Sequence, residues 1–216
     1  MSKTFAISGQ HYLFDVQAFA HTILAVGGDS YSYALRDRTT QGVLDDVANK
    51  ESDLGVLMTT SLTKDTLLAA IEAAGLEFTA ISESAPRVAV GASHPLSNAK
   101  SLSLEQLSDW PYLYFEQPGS DDAFFEEALG HIERAKSIAC TDRASLSELA
   151  TALNGYTVTS GILVGITDGG SLTTIPLETE EKLTLGYVSR KGEELSSLGQ
   201  RFVGNLEKSL KTYARF

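Results

Sequence analysis

The residues best able to do chemistry in this sequence are short groups of polar side chains that follow apolar runs. In an open parallel sheet, ligands bind at the carboxyl ends of the strands, where the helices that follow present free N–H groups. Hydroxyl, amide and imidazole groups at such positions favour contact with a small polar ligand. The predicted ligand-binding residues are Ser8, Gln10, His11, Thr40, Met58, Thr59, Gln117, Thr159 and Gly161.

Several of these positions also have a plain structural explanation. The hydroxyl of Thr40 and the N–H groups after it stand at the start of a predicted helix and suit a bound carboxylate. His11 either contacts the ligand or lies in a solvated turn, and Thr59 either contacts the ligand or caps the next helix. Gly161 favours a turn, because glycine adopts backbone conformations that larger residues avoid. Glu116 would repel an anion, so the charge of the ligand stays open.

Patterns typical of enzymes are incomplete in this sequence. Residues 61–64 and 97–100 match Ser-x-x-Lys, yet neither is accompanied by the Ser-Asp-Asn or Lys-Thr-Gly motif of acyl enzymes. The four histidines have no HExxH spacing, and no P-loop occurs. The acidic pairs 45–46 and 126–127 lie on predicted helices, where neighbouring residues point about 100° apart and a solvated face is expected. We therefore expect no catalysis, no cofactor and no metal site.

The overall composition excludes further classes of protein. Seventeen Lys and Arg residues against 28 Asp and Glu residues give a net charge of −11, which repels nucleic acid. Arg36 and Arg38 suit a carboxylate, although exposure to solvent is the commoner fate of arginine. Cys140 is the only cysteine, so we expect a small buried residue and a cytoplasmic protein. The first ten residues lack the apolar core of a signal peptide.

Apolar runs and helical periodicities alternate along the chain, which is typical of βα units. The sequence predicts strands at 4–8, 31–35, 53–58, 76–81, 87–91, 112–115, 137–140, 156–159, 172–177 and 183–188. Helices are expected between many of these strands, including helices at 12–25, 121–131 and 145–153, with a last helix that ends the chain. Polar breaks at 82–86 and 178–182 indicate two crossings between two α/β lobes.

Several segments occur in an order that resembles the effector-binding domain of LysR-type transcriptional regulators. The resemblance covers roughly residues 3 to 212, and its most specific sign is His94-Pro-Leu before an amphipathic turn and an apolar strand. The matching segments are the strand and helix through residue 26, then 40–49, 52–56, 88–97, 102–107 and 111–115. The resemblance implies an α/β, type 2 periplasmic-binding-protein-like fold, in which two crossover segments join two Rossmann-like lobes around a ligand cleft. Lobe I would comprise 1–84 with 181–216, and lobe II 86–178.

The resemblance also implies a function and partners. A small effector, a polar metabolite or an organic acid, would bind in the cleft, which Gln117 faces in the family, and would shift the lobes. Homodimers or tetramers would form, with helix 12–25 against helix 121–131 and with Phe19 or Phe124 as candidate interface residues. The family's winged helix-turn-helix is absent here, so DNA would be contacted only through that missing domain. The alternatives are a stand-alone solute-binding protein for a transporter and, less favoured, an enzyme of the same fold.

Overall fold

Two five-stranded sheets organise the chain. The computed structural model describes residues 3–119, 124–162 and 172–213. Its strands are β1 (Lys3–Gly9), β2 (Tyr31–Asp37), β3 (Leu54–Thr60), β4 (Leu76–Ser84), β5 (Arg87–Gly91), β6 (Tyr112–Phe115), β7 (Ser137–Cys140), β8 (Tyr156–Thr159), β9 (Leu172–Pro176) and β10 (Leu183–Arg190). Its helices are α1 (Leu13–Val26), α2 (Thr40–Ala48), α3 (Lys64–Ala73), α4 (Arg143–Ala152) and α5 (Ser197–Tyr213).

The first sheet has the strand order β2-β1-β3-β10-β4. Strand β1 runs parallel to β2 and β3, whereas β10 runs antiparallel to β3 and β4. Every residue of β3 is buried, because apolar side chains cover both faces of the sheet. One face packs on aromatic and leucine side chains of α1 and α5, and the other packs on valine, leucine and isoleucine side chains of α2 and α3.

The second sheet has the strand order β7-β6-β8-β5-β9. Its centre is parallel, since β6 pairs with β7 and β8, and its other side is antiparallel, since β5 pairs with β8 and β9. Leu146 and Ala150 of α4 pack with Leu113 and Phe115 of β6. The chain passes from β4 to β5 and returns from β9 to β10, so it joins the two sheets twice. The residue boundaries given above for the two lobes stay a prediction.

One expected helix is wrong over its described part. Residues 124–131 form a 3₁₀ residue, bends and turns instead of an α-helix, and residues 121–123 of the expected 121–131 helix lie outside the described residues. Leu129 has φ 61°, a left-handed conformation that a right-handed helix does not accommodate. Glu126 and Glu127 are 2% and 3% exposed, so the expectation of a solvated acidic face is also wrong. Their carboxylates accept hydrogen bonds from backbone N–H groups elsewhere in the chain, which draws both side chains inward.

The two phenylalanines expected at a dimer interface are buried within the single chain. Phe19 is 8% exposed and stacks on Phe5, with ring centroids 6.2 Å apart. Phe124 is 9% exposed and belongs to the core that α2 and α3 form on the first sheet. Replacing either residue with Glu would therefore disturb folding rather than test dimer formation.

Candidate functional site

A cavity opens between the two sheets, where the predicted ligand cleft should lie. Its volume is about 690 Å³, counting its solvent-filled mouth. The first sheet contributes the β1–α1 connection and the end of β3, and the second sheet contributes strand ends and the start of α4. The described lining residues are His11, Tyr12, Leu13, Phe14, Met58, Ala89, Phe115, Glu126, Glu127, Arg143, Leu146, Ser147, Thr157, Val158, Thr159, Ser160, Ile162 and Leu172. A mostly apolar wall with a few polar groups is the usual form of a small-molecule site.

His11 and Glu126 connect the two sheets at the edge of this cavity. The backbone N–H of His11 donates to Glu126 Oε1 at 2.6 Å, and His11 Nδ1 lies 2.8 Å from Glu126 Oε2. The imidazole stacks on Phe115, with ring centroids 3.9 Å apart and planes 6° from parallel. Burial lowers the pKa of His11, but the hydrogen bond and charge of Glu126 raise it by more, so the net pKa is raised. The contact therefore favours an imidazolium facing the acid.

Arg143 and Asp37 form a second connection. Arg143 Nη2 lies 3.0 Å from Asp37 Oδ2, and Nη1 donates to the carbonyl of Tyr12 at 3.3 Å. Arg143 is the first residue of α4, which begins there because the side chain of Asp142 accepts a hydrogen bond from Ser145 N at 2.9 Å. Charge-assisted contacts of this kind fix the start of α4 against the end of β2.

Thr40 and Gln117 form a third connection. Thr40 N donates to Gln117 Oε1 at 2.8 Å, and Thr40 Oγ1 donates to the carbonyl of Phe124 at 2.8 Å. Gln10 Nε2 donates to Thr40 Oγ1 at 2.5 Å, while Gln10 Oε1 accepts from Met58 N at 2.9 Å. The first N–H group of α2 therefore already donates a hydrogen bond to the side-chain oxygen of Gln117. The sequence predicted a ligand carboxylate at this place.

Two buried acids have an oxygen atom without a partner. Glu127 Oε1 accepts from Phe115 N at 2.8 Å, but Glu127 Oε2 has no partner among the described residues. Asp15 Oδ1 accepts from Val16 N at 2.5 Å, and its Oδ2 likewise has none. Burial raises the pKa of both carboxyls well above their usual range, and the nearby charge of Glu126 raises both further.

Comparison with known proteins gives the family. The family model described as LysR substrate binding domain matches residues 32–211. The chain belongs to this family. No curated protein sequence matches the chain. The domains of this family sense effectors for transcriptional regulators and are not enzymes.

Solved structures of LysR-family regulators have the same fold. HinK from Pseudomonas aeruginosa is 15% identical with a TM-score of 0.65, and the match covers 97% of this chain and 71% of that one. The oxidized form of OxyR is 16% identical with a TM-score of 0.64, covering 100% and 99%. The effector-binding domain of QuiR in complex with shikimate is 13% identical with a TM-score of 0.61, covering 99% of both chains. The type 2 periplasmic-binding-protein-like fold predicted for this LysR-family domain is confirmed.

Three of the predicted binding residues line the cavity of this LysR-family domain, namely His11, Met58 and Thr159. Gln10, Thr40 and Gln117 form the hydrogen-bond network described above, in which Gln117 Nε2 has no partner among the described residues. The structure therefore brings six of the nine predicted residues to the cavity or to this network between the two sheets. Their contact with an effector stays a prediction.

The other three predicted residues do not line the cavity. Ser8 Oγ donates to Asp46 Oδ2 at 2.6 Å and so fixes α2 to β1. Thr59 is 1% exposed on β3. Gly161 has φ 77°, and a Cβ there would collide with the side chain of Arg87. Glycine is therefore required by the turn after β8.

Sequence reasoning missed the charged residues of the cavity wall, which are Glu126, Glu127 and Arg143. The acids follow the aromatic pair 124–125, a local sign that this segment is drawn inward. Arg36 and Arg38, which sequence reasoning considered instead, lie elsewhere: Arg36 donates to the carbonyl of residue 51 at 3.1 Å, and Arg38 Nε lies 2.9 Å from an oxygen of the residue 46 carboxylate.

No helix in the described part of the chain is long and apolar enough to span a bilayer. Within the same residues, no group of three His, Cys, Asp or Glu side chains is arranged to hold a metal ion. Cys140 is buried and unpaired at the end of β7.

Proposed function

We propose that this LysR-family domain binds its effector in the cavity between the two sheets and that binding changes how the sheets are held together. The observation that supports the proposal is that residues of both sheets share one cavity wall, at whose edge side chains of the two sheets pair. An effector shifts this arrangement only by its differential affinity for the two states, which is typically about 1 to 3 kcal/mol of coupling.

The three connections are the elements that binding would bias. The pairs His11–Glu126, Arg143–Asp37 and Thr40–Gln117 each join a strand end or helix start of one sheet to the other sheet. A ligand that competes for one of these polar groups weakens the connection that the group forms. A ligand that only fills apolar space leaves all three connections intact and strengthens the packing between the sheets. The position of the effector therefore decides the direction of the response.

A thermal-shift screen against small metabolites tests the proposal. A ligand at a concentration of 100 times its Kd adds about 2.7 kcal/mol to the stability of the native state and so raises the Tm by several degrees. Ser147 lines the cavity from α4, so Ser147→Tyr should abolish the shift by filling the cavity. Ala152 is exposed on the opposite face of α4, and the matched control Ala152→Tyr should retain the shift. A hit that survives in Ser147→Tyr contradicts binding in this cavity.

We further propose that two copies of the domain pair through the exposed face of α1. Leu24 is 84% exposed, and Ala20, His21 and Ala25 beside it are also exposed. A single exposed leucine is ordinary, but a contiguous exposed apolar patch, here Leu24 with Ala20 and Ala25, marks a candidate interface. The whole regulator would act in the cytoplasm and contact DNA through another domain.

Sedimentation of two matched variants tests the dimer. Leu24→Glu should shift the protein toward monomer. Leu153, 46% exposed at the end of α4, provides the control, because Leu153→Glu removes an equally large exposed side chain elsewhere. Equal sedimentation of wild type and Leu24→Glu at micromolar concentration would refute an interface on α1.

A further inference from the structure

The charged groups of the cavity wall leave one acid unpaired. Within the described lining, the charged residues are His11, Glu126, Glu127 and Arg143. His11 faces Glu126, and Arg143 faces Asp37. Glu127 is 3% exposed, forms no ion pair within the described part of the chain, and keeps Oε2 without a partner.

Thr157 provides a second unpaired group on the same wall. It lies on β8, is 8% exposed, and its Oγ1 has no hydrogen-bond partner among the described residues. Buried polar atoms almost always have a partner in folded proteins. Glu127 Oε2 and Thr157 Oγ1 are therefore two unsatisfied oxygens on one cavity wall, which a ligand can satisfy.

Arg134, whose charge lowers the pKa of Glu127, forms no ion pair with it within the described part of the chain. Arg134 Nη1 donates to the backbone carbonyls of Leu129 and Ile132, and its guanidinium lies over the ring of Tyr112, 4.3 Å from the centroid. Arg134 is not among the described residues that line the cavity. On the cavity side, the described wall offers Glu127 no unpaired cation, so this is a charge that a ligand can supply.

We propose that the effector of this domain is a small amine with an apolar body, whose ammonium group pairs with Glu127 and bonds to the hydroxyl of Thr157. This inference rests on the proposed function, because it assigns the chemical class that the same cavity binds. The apolar body suits the remaining wall, to which Phe14, Phe115 and Leu146 contribute. An ammonium donates three hydrogen bonds, enough for both unpaired oxygens.

An organic acid fits this wall less well. Its carboxylate would lie near the buried acids Glu127 and Glu126, and like charges repel. The one arginine of the described wall, Arg143, is already paired with Asp37 and with the carbonyl of Tyr12. A carboxylate would therefore have to break an existing ion pair, whereas an ammonium breaks none.

Three ligands of one shape test the charge preference. Isothermal titration with benzylamine, benzyl alcohol and benzoate at pH 7.5 should give the lowest Kd for benzylamine, by at least about tenfold. Glu127→Gln should raise the Kd of benzylamine at least about tenfold and leave that of benzyl alcohol within about twofold. Glu116 is exposed, and the control Glu116→Gln, with the same change of charge, should leave all three values unchanged.

A proton count supplies a second readout. Burial raises the pKa of Glu127, with Glu126, Tyr12, Tyr112, Arg134 and Cys140 as the titratable groups around it. An ammonium that ionises the carboxyl releases its proton, so the binding enthalpy of benzylamine should change with the ionisation enthalpy of the buffer. Glu127→Gln should remove that dependence.

The outcomes separate this inference from the proposed function. Thr157→Val keeps the side-chain volume and should raise the Kd of benzylamine several-fold. This second variant keeps the test valid if Glu127→Gln fails to fold. Tighter binding of benzoate, equal binding of all three ligands, or no effect of either variant overturns the amine effector. If benzoate binds and Ser147→Tyr abolishes its binding, the cavity remains the effector site and only the charge class is wrong. If benzylamine fails to bind, the amine is refuted, while the metabolite screen still decides the proposed function.

Discussion

Asp15→Asn should change how the stability of the domain depends on pH. Asp15 is fully buried on α1 with one oxygen lacking a partner among the described residues, and it does not line the cavity, so the variant should leave the described wall intact. Burial raises the pKa of Asp15 well above its usual range; the charge of Arg143 lowers it, and those of Asp37 and Glu126 raise it. The native state therefore holds this proton more tightly than the unfolded chain does.

The sign and size follow from proton linkage. A raised carboxyl pKa adds stability that is fully present below the unfolded value of about 3.9 and is lost as the pH rises through the native pKa. The loss is about 1.4 kcal/mol for each pH unit between those two values. Between pH 5 and pH 8, the wild-type free energy of unfolding can fall by at most about 4 kcal/mol through Asp15, and Asp15→Asn does not show this fall. The variant should therefore gain stability relative to wild type as the pH rises.

Urea unfolding followed by circular dichroism at pH 5 and pH 8 measures this difference. The control Asp29→Asn changes an exposed acid in the loop after α1 and should alter stability equally little at both pH values. A difference between Asp15→Asn and wild type that is the same at pH 5 and pH 8, or that becomes less favourable at pH 8, would refute the reasoning. That result would mean that Asp15 is ionised in the native state with a partner that compensates its charge.

Three further changes have defined outcomes. Gly55→Ala places a Cβ 2.7 Å from Val188 Cγ2 and should cost about 1 to 3 kcal/mol in urea unfolding through overpacking. Thr40→Val removes the partner of two buried polar groups and should cost about 2 kcal/mol in the same assay. Glu126→Gln should lower the pKa of His11 below 6.5 in an NMR titration, because burial then outweighs the remaining charges, whereas an unchanged midpoint would show that Glu126 does not set it.

Local sequence patterns predicted the strands well where a short apolar run lies between turn residues. Strands β5, β6, β7 and β8 have the predicted bounds, because each is a run of four or five residues preceded by Pro, Lys or Gly. Where a run continued into polar residues, the strand proved longer. β10 extends two residues past the predicted end at Val188, since it pairs with β4 as far as Arg190.

The sequence predicted the position of the candidate site, but not the pairs of side chains that build it. The carboxyl ends of β1, β3 and β8 were predicted to contact a ligand, and His11, Met58 and Thr159 at these ends line the cavity. The bond between His11 and Glu126 joins residues 115 positions apart, and no local pattern specifies such a pair. The expected helix at 121–131 failed for the same reason, because long-range bonds to buried acids decided the path of that segment.

The buried acids suggest how a mostly apolar cleft with a few charged groups would respond to a ligand. Each unpaired buried carboxylate destabilises the arrangement that buries it, unless a proton or a cation neutralises it. The pairs His11–Glu126 and Arg143–Asp37 supply protein cations for two acids at the edge of the cavity, and Glu127 is the one left on its wall. A ligand that brings a positive charge to Glu127 removes the penalty only while the sheets enclose it. Its affinity then differs between the two arrangements, and that difference is what a sensor needs in order to shift them.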